Sequence, residues 1–464
     1  MATTTKAAKP TTTLLILGAG GDLTHRLLLP GLSTLLMAER ERTVRVVGSD
    51  RVDLTAQQWL ERVEDSFAKY ETPKAITRKV TRDTAYIKAD ILDAASLQSL
   101  ITACGDGPLV IFFALPPAVT MKCCELLRRI ELPDTTRLAL EKPFGTDLAA
   151  AQRFNRLLAR VVPERDIYRI DHFLGVNTVL NLIGLRFANR LFQPVWNTEH
   201  IEKVEIVYDE DLALEGRAGY YDGAGALRDM IQSHLIQVLA LFAVESIATL
   251  DAQEVQDQKG QVLRAMRIWG DDPVASSRRA RYTAGRIGTR RVPDYIKEPG
   301  VDASRMTETL AELTVEIANN RWAGVPFVLR SGKALGVPRK QVIVTFRDVA
   351  HLPNGFAGAS GADHLVIGLK PGAVALTLTM NAEGDPLDLE QKTLEAVLAP
   401  PRMQPYGEVL GQILDGSQLL TVRGDGAEQC WRIVEPVLKA WSAGKVPMQT
   451  YAAGSGGPKG WPGA

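Results

Sequence analysis

The sequence of 464 residues lacks an excess of charge of either sign, a long apolar run and more than a few cysteines. Lysine plus arginine and aspartate plus glutamate each total 54, so the charge balance argues against nucleic acid or an anionic membrane as a partner. No apolar run approaches the roughly 18 residues that a membrane-spanning helix needs. No pair of cysteines forms a CxxC motif, and histidines outside the motifs below have no acidic or cysteine partner at ligand spacing, so we predict no metal site. The four cysteines are expected to be reduced thiols of a cytoplasmic protein: Cys104, Cys123, Cys124 and Cys430.

The length and the order of the elements predict two domains of different class. Residues 1–13 are expected to be a disordered lead-in, and the Gly- and Pro-rich residues 454–464 a loose tail. Between them we predict an α/β Rossmann-type domain with a doubly wound parallel sheet over 14–165. A larger α+β domain, built on a mainly antiparallel sheet, is predicted over 166–453.

A glycine turn near the N-terminus predicts a dinucleotide-binding site. An apolar run, Thr13–Leu17, precedes it, and helix-forming residues follow through about Glu41. Glycines let backbone N–H groups approach a pyrophosphate at the start of the helix. The turn alone also fits a simple tight turn, but the later strand-like segments at 43–48, 85–88, 109–114 and 137–140, separated by helical ones, favour nucleotide binding. The turn comprises Gly18, Ala19, Gly20, Gly21, Asp22 and Leu23.

The end of the second predicted strand bears on the choice between NADP and NAD. Arg51 and Ser49 favour the 2′-phosphate of NADP, whereas Asp50 would accept from the ribose 2′-hydroxyl of NAD and would repel a phosphate unless it turns away. A solvated turn whose charges pair with each other is the alternative. We predict NADP as the cofactor and keep NAD open because of Asp50.

In the second half, strand-like stretches are predicted at 201–208, 341–347, 365–370 and 374–380, and helices at 178–190, 225–245, 304–318 and 425–443. The helix from Ala226 to Val244 is apolar nearly all round, so we expect it to be buried. Its polar residues, Asp229, Ser233 and Gln237, share a face at i, i+4 spacing and are expected to line a cleft.

Two charge clusters stand out because charges are costly to bury without partners. They are Arg169-Ile170-Asp171-His172 and Arg228-Asp229-Met230-Ile231-Gln232-Ser233-His234. A buried histidine is often only a satisfied core residue, but a second cluster supplies a carboxylate that would hold the tautomer of His234 and stabilise its charged form. With a phosphate cradle upstream, the clusters predict redox chemistry on an anionic substrate.

The chain resembles the glucose-6-phosphate dehydrogenase family from about residue 14 to about residue 457. The resemblance rests on the glycine turn, the two charge clusters and further motifs in the family's order: Ala114-Leu115-Pro116-Pro117, Glu141-Lys142-Pro143-Phe144-Gly145, Arg186-Phe187-Ala188-Asn189-Arg190, Glu215-Gly216-Arg217, Tyr220-Tyr221-Asp222, Gly324-Val325-Pro326-Phe327 and Lys333-Ala334-Leu335. It implies oxidation of D-glucose 6-phosphate at C1 to 6-phosphogluconolactone with hydride transfer to NADP, the first step of the oxidative pentose phosphate pathway. It also implies a homodimer or homotetramer.

Residue by residue, the resemblance implies a role for each polar position. His234 falls at the general base and Asp171 at the carboxylate that orients it. Pro143 falls at a cis-proline, and Pro116 lies in a cofactor-side motif. The implied substrate residues are His172 for the 6-phosphate, Glu210 and Asp229 for sugar hydroxyls, Lys142 between sugar and nicotinamide, and Lys333 for the sugar-phosphate pocket.

The chain departs from the family in the phosphate-binding stretch, which usually reads Tyr-Leu-Gly-Lys-Glu after the histidine. Phe173 and Val176 stand at the tyrosine and lysine positions. One lost charged phosphate contact costs about 1.5–3 kcal/mol, or roughly 10–150-fold in affinity. Arg339 or Lys340 could supply the missing cation, unless they form a solvated basic turn. The alternatives to glucose 6-phosphate oxidation are the same chemistry on another sugar or sugar phosphate, or a catalytically silent dinucleotide-binding regulatory protein.

Overall fold

The chain divides into two units in a computed structural model that describes residues 11–358 and 361–461. The first unit comprises the chain up to Asn177 together with Thr249–Asp257 and Pro401–Glu428. The second comprises Thr178–Ala248, Gln258–Pro400 and Gln429–Ala464. The predicted domain bounds, 14–165 and 166–453, did not include the two later segments that belong to the first unit. These bounds remain a prediction.

The strands and helices have the following bounds. The strands are β1 (Thr12–Leu17), β2 (Val44–Asp50), β3 (Ala85–Lys88), β4 (Leu109–Phe113), β5 (Arg137–Glu141), β6 (Ile167–Ile170), β7 (Ile201–Asp209), β8 (Met266–Ile268), β9 (Ser277–Thr283), β10 (Gly285–Ile287), β11 (Arg290–Val292), β12 (Leu310–Ile317), β13 (Phe327–Gly332), β14 (Arg339–Phe346), β15 (Ala357–Gly358), β16 (His364–Leu369), β17 (Gly372–Asn381), β18 (Asp388–Val397), β19 (Thr421–Val422) and β20 (Met448–Ala452). The α-helices are α1 (Leu29–Ala38), α2 (Ala56–Ala68), α3 (Lys74–Thr81), α4 (Ala94–Ala103), α5 (Pro117–Leu127), α6 (Leu148–Leu158), α7 (Asn177–Phe187), α8 (Ala218–Ala226), α9 (Ile236–Ala243), α10 (Ala252–Ala265), α11 (Pro405–Asp415) and α12 (Gly424–Ser442). Two π-helical segments, Thr24–Leu28 and Leu227–Leu235, lead into α1 and α9.

The first unit is built on a seven-stranded sheet with the order β19-β6-β5-β4-β1-β2-β3. All neighbours are parallel except β19 and β6. The first strand is buried along its whole length, as expected when helices cover both faces of a parallel sheet. Polar caps start the flanking helices: Thr55 and Gln58 form a capping box at α2, and Asp147 caps α6. The predicted Rossmann-type doubly wound sheet is confirmed.

The second unit is built on an eleven-stranded sheet with the order β15-β18-β17-β16-β14-β7-β13-β12-β9-β20, to which β8 adds beside β12. Only the pairs β15/β18, β7/β13 and β9/β20 are parallel, so the prediction of a mainly antiparallel sheet is confirmed. The helix predicted at 304–318 is wrong, because Leu310–Ile317 is strand β12. Ala, Leu and Glu suggested a helix there, but the alternation that buries Leu313, Val315 and Ile317 decides the structure.

The two ends of the chain differ from their predictions where they are described. Residues 1–10 and 462–464 lie outside the described part, but Thr12 and Thr13 already belong to β1. The predicted loose tail is held in place over 454–461, where Trp461 is 5 % exposed and its indole N–H donates to Gln449. A single buried aromatic side chain thus anchors a Gly-rich segment. In the described residues, no helix is both long and apolar enough to cross a membrane.

Candidate active site

The glycine turn after β1 brings the backbone into close contact with neighbouring strands. Gly18 has φ +88°, and a side chain there would lie 2.3 Å from the carbonyl oxygen of Ala114. The amides of Gly18 and Ala19 donate to the Ser49 carbonyl at 2.9 and 3.1 Å. Only glycine fits at position 18, and the helix that follows starts directly after the turn. This strand–turn–helix geometry fits a dinucleotide pyrophosphate.

The tip of β2 favours one of the two cofactors. The Asp50 carboxylate accepts from the amide of Gly20 at 3.1 Å and from that of Arg51 at 2.7 Å, so it is turned to the backbone. The Arg51 side chain is exposed. Ser49 was predicted to contact the cofactor, but its side chain is fully buried, so this prediction is wrong for its hydroxyl. The tip of β2 therefore presents the exposed guanidinium of Arg51, whereas the Asp50 carboxylate is already hydrogen-bonded to backbone amides.

Sequence reasoning missed Arg62 and His25, which also lie beside the glycine turn. Arg62 donates to the carbonyl of Gly20 at 3.0 Å, and both side chains line a cavity of about 370 Å³. The hydroxyl of Ser66 lies 3.0 Å from the His25 ring, and burial lowers the pKa of that imidazole. No motif in the sequence marks Arg62, because it is brought to the turn by the packing of α2.

Glu141 and Lys142 follow each other at the end of β5, and the Lys142–Pro143 peptide bond is cis, as the resemblance implied. The phenol of Tyr406 donates to Glu141 Oε1 at 2.9 Å. Burial raises the pKa of Glu141 to about 7, although Tyr406 and the ammonium of Lys142 act in the opposite direction. A carboxyl group that titrates near neutrality thus lies next to the predicted bridging lysine.

The turn after β6 presents Asp171 and His172. Asp171 is 2 % exposed and caps a short 3-10 helix by accepting from the Phe173 amide at 3.0 Å. The half-buried ring of His172 stacks on Tyr406, with 5.8 Å between ring centroids and 13° between planes. Tyr406 lies on α11, far along the chain, so the sequence alone gave no signal for it. The cluster therefore holds two ionisable side chains in fixed orientations.

Arg169 belongs to the same stretch but is part of the core. Its guanidinium is fully buried, contacts Glu164 at 2.7 Å and donates to Asn155 at 3.1 Å. Glu164 also accepts from the Gly424 amide at 2.8 Å. Arg169 thus ties β6 to the returning segment 401–428 instead of facing a ligand.

In the second unit, the π-helical segment Leu227–Leu235 carries Asp229 and His234. His234 is 1 % exposed, whereas Asp229 is half-buried and accepts from the Tyr220 phenol at 3.0 Å. Gln237, predicted on the same polar face, is instead buried and donates to Cys430 at 3.2 Å. The wider π turn breaks the i, i+4 spacing, so that prediction is wrong for Gln237.

A basic cluster lies at the ends of β13 and β14 in the second unit. Lys333 contacts Glu210 at 2.7 Å, and Lys340 lies 4.0 Å from the same carboxylate and 4.9 Å from the centroid of the Tyr208 ring. Arg339 instead pairs with Asp209 at 2.8 Å. The structure therefore brings Glu210, Lys333 and Lys340 together and ties Arg339 to a different acid.

Asp209 is buried and holds a second guanidinium, that of Arg330, at 3.1 Å. Ala334 follows Lys333 in a left-handed conformation with φ +54° and is fully buried. Strained backbone of this kind persists where the surroundings hold it in place, and it fixes the direction of the lysine turn.

Phe173 and Val176, the two residues at which the chain departs from the phosphate motif of the family it resembles, are both at least half-buried. Phe173 is 7 % exposed and meets the His172 ring edge-on at 5.2 Å. Gly175 lies against α11, where a side chain would come within 2.5 Å of the Pro405 carbonyl. Val176 is half-buried at the end of the turn. An apolar side chain therefore stands at the position where the resemblance implied a lysine.

Comparisons with known proteins give one consistent result. A family model described as the glucose-6-phosphate dehydrogenase NAD binding domain matches residues 15–181, and one for the C-terminal domain matches 183–461. A glucose-6-phosphate 1-dehydrogenase of Gluconobacter oxydans is 38 % identical, with 96 % of this chain and 94 % of the relative covered. A structure of the enzyme from Mycobacterium avium matches with a TM-score of 0.85 at 32 % identity, covering 97 % and 95 % of the two chains. A glucose-6-phosphate dehydrogenase in complex with glucose 6-phosphate matches with a TM-score of 0.87 at 28 % identity, covering 97 % and 96 %.

Proposed function

The chain belongs to the glucose-6-phosphate dehydrogenase family, and we propose from this premise that it oxidises glucose 6-phosphate at C1 to the lactone. The proposal is carried by one observation: His234 and Asp171, the acid–base pair implied by the resemblance, are both present and both have buried side chains. NADP accepts the hydride that leaves C1. The lactone forms as the C1 hydroxyl loses its proton.

His234 takes the proton from the C1 hydroxyl, and Asp171 orients the imidazole and stabilises its charged form. Burial of both side chains supports these roles, because a low-dielectric surrounding strengthens the attraction between an imidazolium and a carboxylate. The Phe173 amide holds one oxygen of Asp171 in place. Asp171 is therefore held in a fixed orientation as the partner of the base.

Sugar hydroxyls are bound by Glu210 and Asp229, and Lys333 and Lys142 lie on the sugar and nicotinamide sides. The ion pair between Lys333 and Glu210 supports a shared task, since a bound hydroxyl can donate to the acid and accept from the ammonium. Tyr220, which donates to Asp229, orients that second acceptor.

The 6-phosphate is held by His172 together with Lys340. We choose Lys340 over Arg339 because the guanidinium of Arg339 is paired with the buried Asp209 at 2.8 Å, whereas Lys340 makes a longer, 4.0 Å pair with Glu210 and lies over the Tyr208 ring. A cation in a looser pair can turn to a phosphate at lower cost. Lys340 then supplies the positive charge that is missing because position 176 is a valine.

The cofactor is held by the turn Gly18, Ala19, Gly20, Gly21, Asp22 and Leu23, with Pro116 beside it and Arg51 on the 2′-phosphate. Asp50 accepts from the backbone amides of Gly20, Arg51 and Val52, which leaves it less able to select NAD through the ribose hydroxyl. The preference is therefore for NADP.

The active form is a homodimer or homotetramer in the cytoplasm. Apolar side chains exposed on β17 and β18 support association through this sheet: Met380 is 47 %, Leu394 56 % and Val397 79 % exposed. Light scattering on the purified protein tests the oligomer, and a strictly monomeric, active chain would contradict it.

The function is tested by a steady-state assay that crosses NADP and NAD with glucose 6-phosphate, glucose and other sugar phosphates. We expect the highest kcat/KM with NADP and glucose 6-phosphate. A higher value with another sugar would instead favour the same chemistry on a different substrate, a reading motivated by Phe173 and Val176. No turnover with any pair would favour a silent dinucleotide-binding protein.

A further inference from the structure

The π-helical segment that carries Asp229 and His234 starts against a buried carboxylate from a distant part of the second unit. We infer that this residue, Glu308, is a positioning residue for the reaction, because it fixes the origin of the helix that bears the base. The inference rests on the proposed function and adds a residue that acts through the helix bearing the base.

Glu308 satisfies two amides at the start of the helix. Its Oε1 accepts from the Leu227 amide at 2.9 Å, and its backbone carbonyl accepts from the Ala226 amide at 3.3 Å. The first N–H groups of a helix have no partner within the helix, and a negative charge beside them is favourable. The side chain is 7 % exposed, so water does not compete well for these bonds.

The chain makes room for this carboxylate at one position. Gly225 has φ +72°, and a side chain there would lie 2.4 Å from Glu308 Oε1. At Gly223, two residues earlier, a side chain would meet no atom within 4 Å. Glycine at position 225, the non-helical residue near the end of α8, is therefore required by the acid that packs on it, and the kink there accommodates the Glu308 carboxylate.

The residue next to Glu308 connects the helix to the lysine turn. The carbonyl of Thr309 accepts from the Lys333 amide at 2.9 Å. The phenol of Tyr451 lies 2.9 Å from the Thr309 hydroxyl and donates to the Lys333 carbonyl at 2.6 Å. Glu308 thus bonds the start of the helix that carries Asp229 and His234, and Thr309 bonds the turn that carries Lys333. Together these two residues set the distance between Asp229 and Lys333.

This arrangement predicts a specific kinetic effect. Loss of the Glu308 carboxyl should let the first turn of the helix shift, and a displacement of about 1 Å at a reacting group can cost on the order of 100-fold in rate. Glu308→Ala should therefore lower kcat by about 10–100-fold and raise KM for glucose 6-phosphate. KM for NADP should stay within about twofold, because the glycine turn belongs to the other unit.

Glu312, four residues further along and on β12, offers a matched control. It is also 7 % exposed and lies 3.8 Å from Arg278, so Glu312→Ala removes an equally buried carboxylate from β12 itself. We expect Glu312→Ala to lower the unfolding temperature with kcat per folded molecule within about threefold of wild type. Glu308→Gln keeps an acceptor oxygen at the same distance and should recover kcat to within about threefold.

The wild type is assayed in parallel, so two failures can be told apart. A wild-type enzyme that does not oxidise glucose 6-phosphate overturns the proposed function. With an active wild type, a Glu308→Ala kcat within threefold, or equal losses in Glu308→Ala and Glu312→Ala, overturns the positioning role alone. If Glu308→Ala does not fold, Glu308→Asp decides: it keeps a carboxyl group but withdraws the acceptor oxygen from the Leu227 amide, and an unchanged kcat would contradict the inference.

Discussion

The stretches Arg169–His172 and Arg228–His234 have similar residue types but very different surroundings. The first comprises the end of β6, where Arg169 is fully buried, and the turn that follows that strand, whereas the second is π-helical and Arg228 is exposed. His172 is half-buried on Tyr406, and His234 is 1 % exposed. Similar residue types in the two stretches therefore indicate only where charged side chains are concentrated. The backbone conformation determines which of them can face a ligand and which are buried and stabilise the fold.

The largest expected effect separates the two histidines. His234→Asn removes the proposed base, so kcat should fall by about 10²–10⁴-fold while NADP still binds, measured by steady-state kinetics and fluorescence titration. His172→Asn should act mainly on KM for glucose 6-phosphate. A His234→Asn enzyme with kcat within tenfold of wild type would show that the base is wrongly assigned.

The two arginines should differ in stability. Arg169→Met removes the buried guanidinium that bonds Glu164 and Asn155 and should cost about 1–3 kcal/mol, measured from the midpoint of urea unfolding. Arg228→Met, at an exposed position, should change stability by no more than about 0.5 kcal/mol. Equal losses in both variants would remove the structural distinction between the stretches.

A further comparison concerns the cation that replaces the one missing at Val176. Lys340→Ala should raise KM for glucose 6-phosphate by about 10–150-fold with a small change in kcat, because it removes a charged phosphate contact. Arg339→Ala is the matched control and should change stability more than KM. Adding Val176→Lys to Lys340→Ala should restore much of the affinity, and no recovery would argue that neither position faces the phosphate.

The pH dependence of stability tests the acid beside the first stretch. The pKa of Glu141 is raised to about 7 by burial, so the folded protein holds a proton that the unfolded chain releases near its ordinary pKa of 4.5. The stabilising protonated form is fully present below about 4.5, and stability is lost as pH rises through about 7. Glu141→Gln should therefore gain about 1–3 kcal/mol over wild type between pH 4.5 and 7, measured by urea unfolding. Tyr406→Phe removes a donor to the carboxylate and should extend this window upward; a flat difference would contradict the assignment.

Local patterns predicted much of the fold, and long-range packing explains the misses. The apolar run before Gly18 and the alternation of strands and helices were sufficient to predict the parallel sheet, because each of these elements is formed by one continuous segment of the chain. Leu310–Ile317 was missed because helix-forming residues there are overridden by burial in the middle of a sheet.

The candidate site residues Asp171 and His234 could be predicted from the sequence, but the residues that hold the site in place could not. Tyr406 and Glu308 come from distant segments and are marked by no motif. The π-helical geometry that buries Gln237 likewise has no signal at the 3.6-residue period. Burial of the Ser49 hydroxyl could only be seen once the glycine turn was folded over it.

The central claim is that the two stretches act as one catalytic unit through Asp171 and His234. A double-mutant cycle of Asp171→Asn, His234→Asn and the double variant, measured by kcat with glucose 6-phosphate and NADP, tests it most directly. The double variant should be about as slow as His234→Asn alone, since the carboxylate acts through the base. Effects that multiply, with the double variant slower by the product of the single losses, would contradict it.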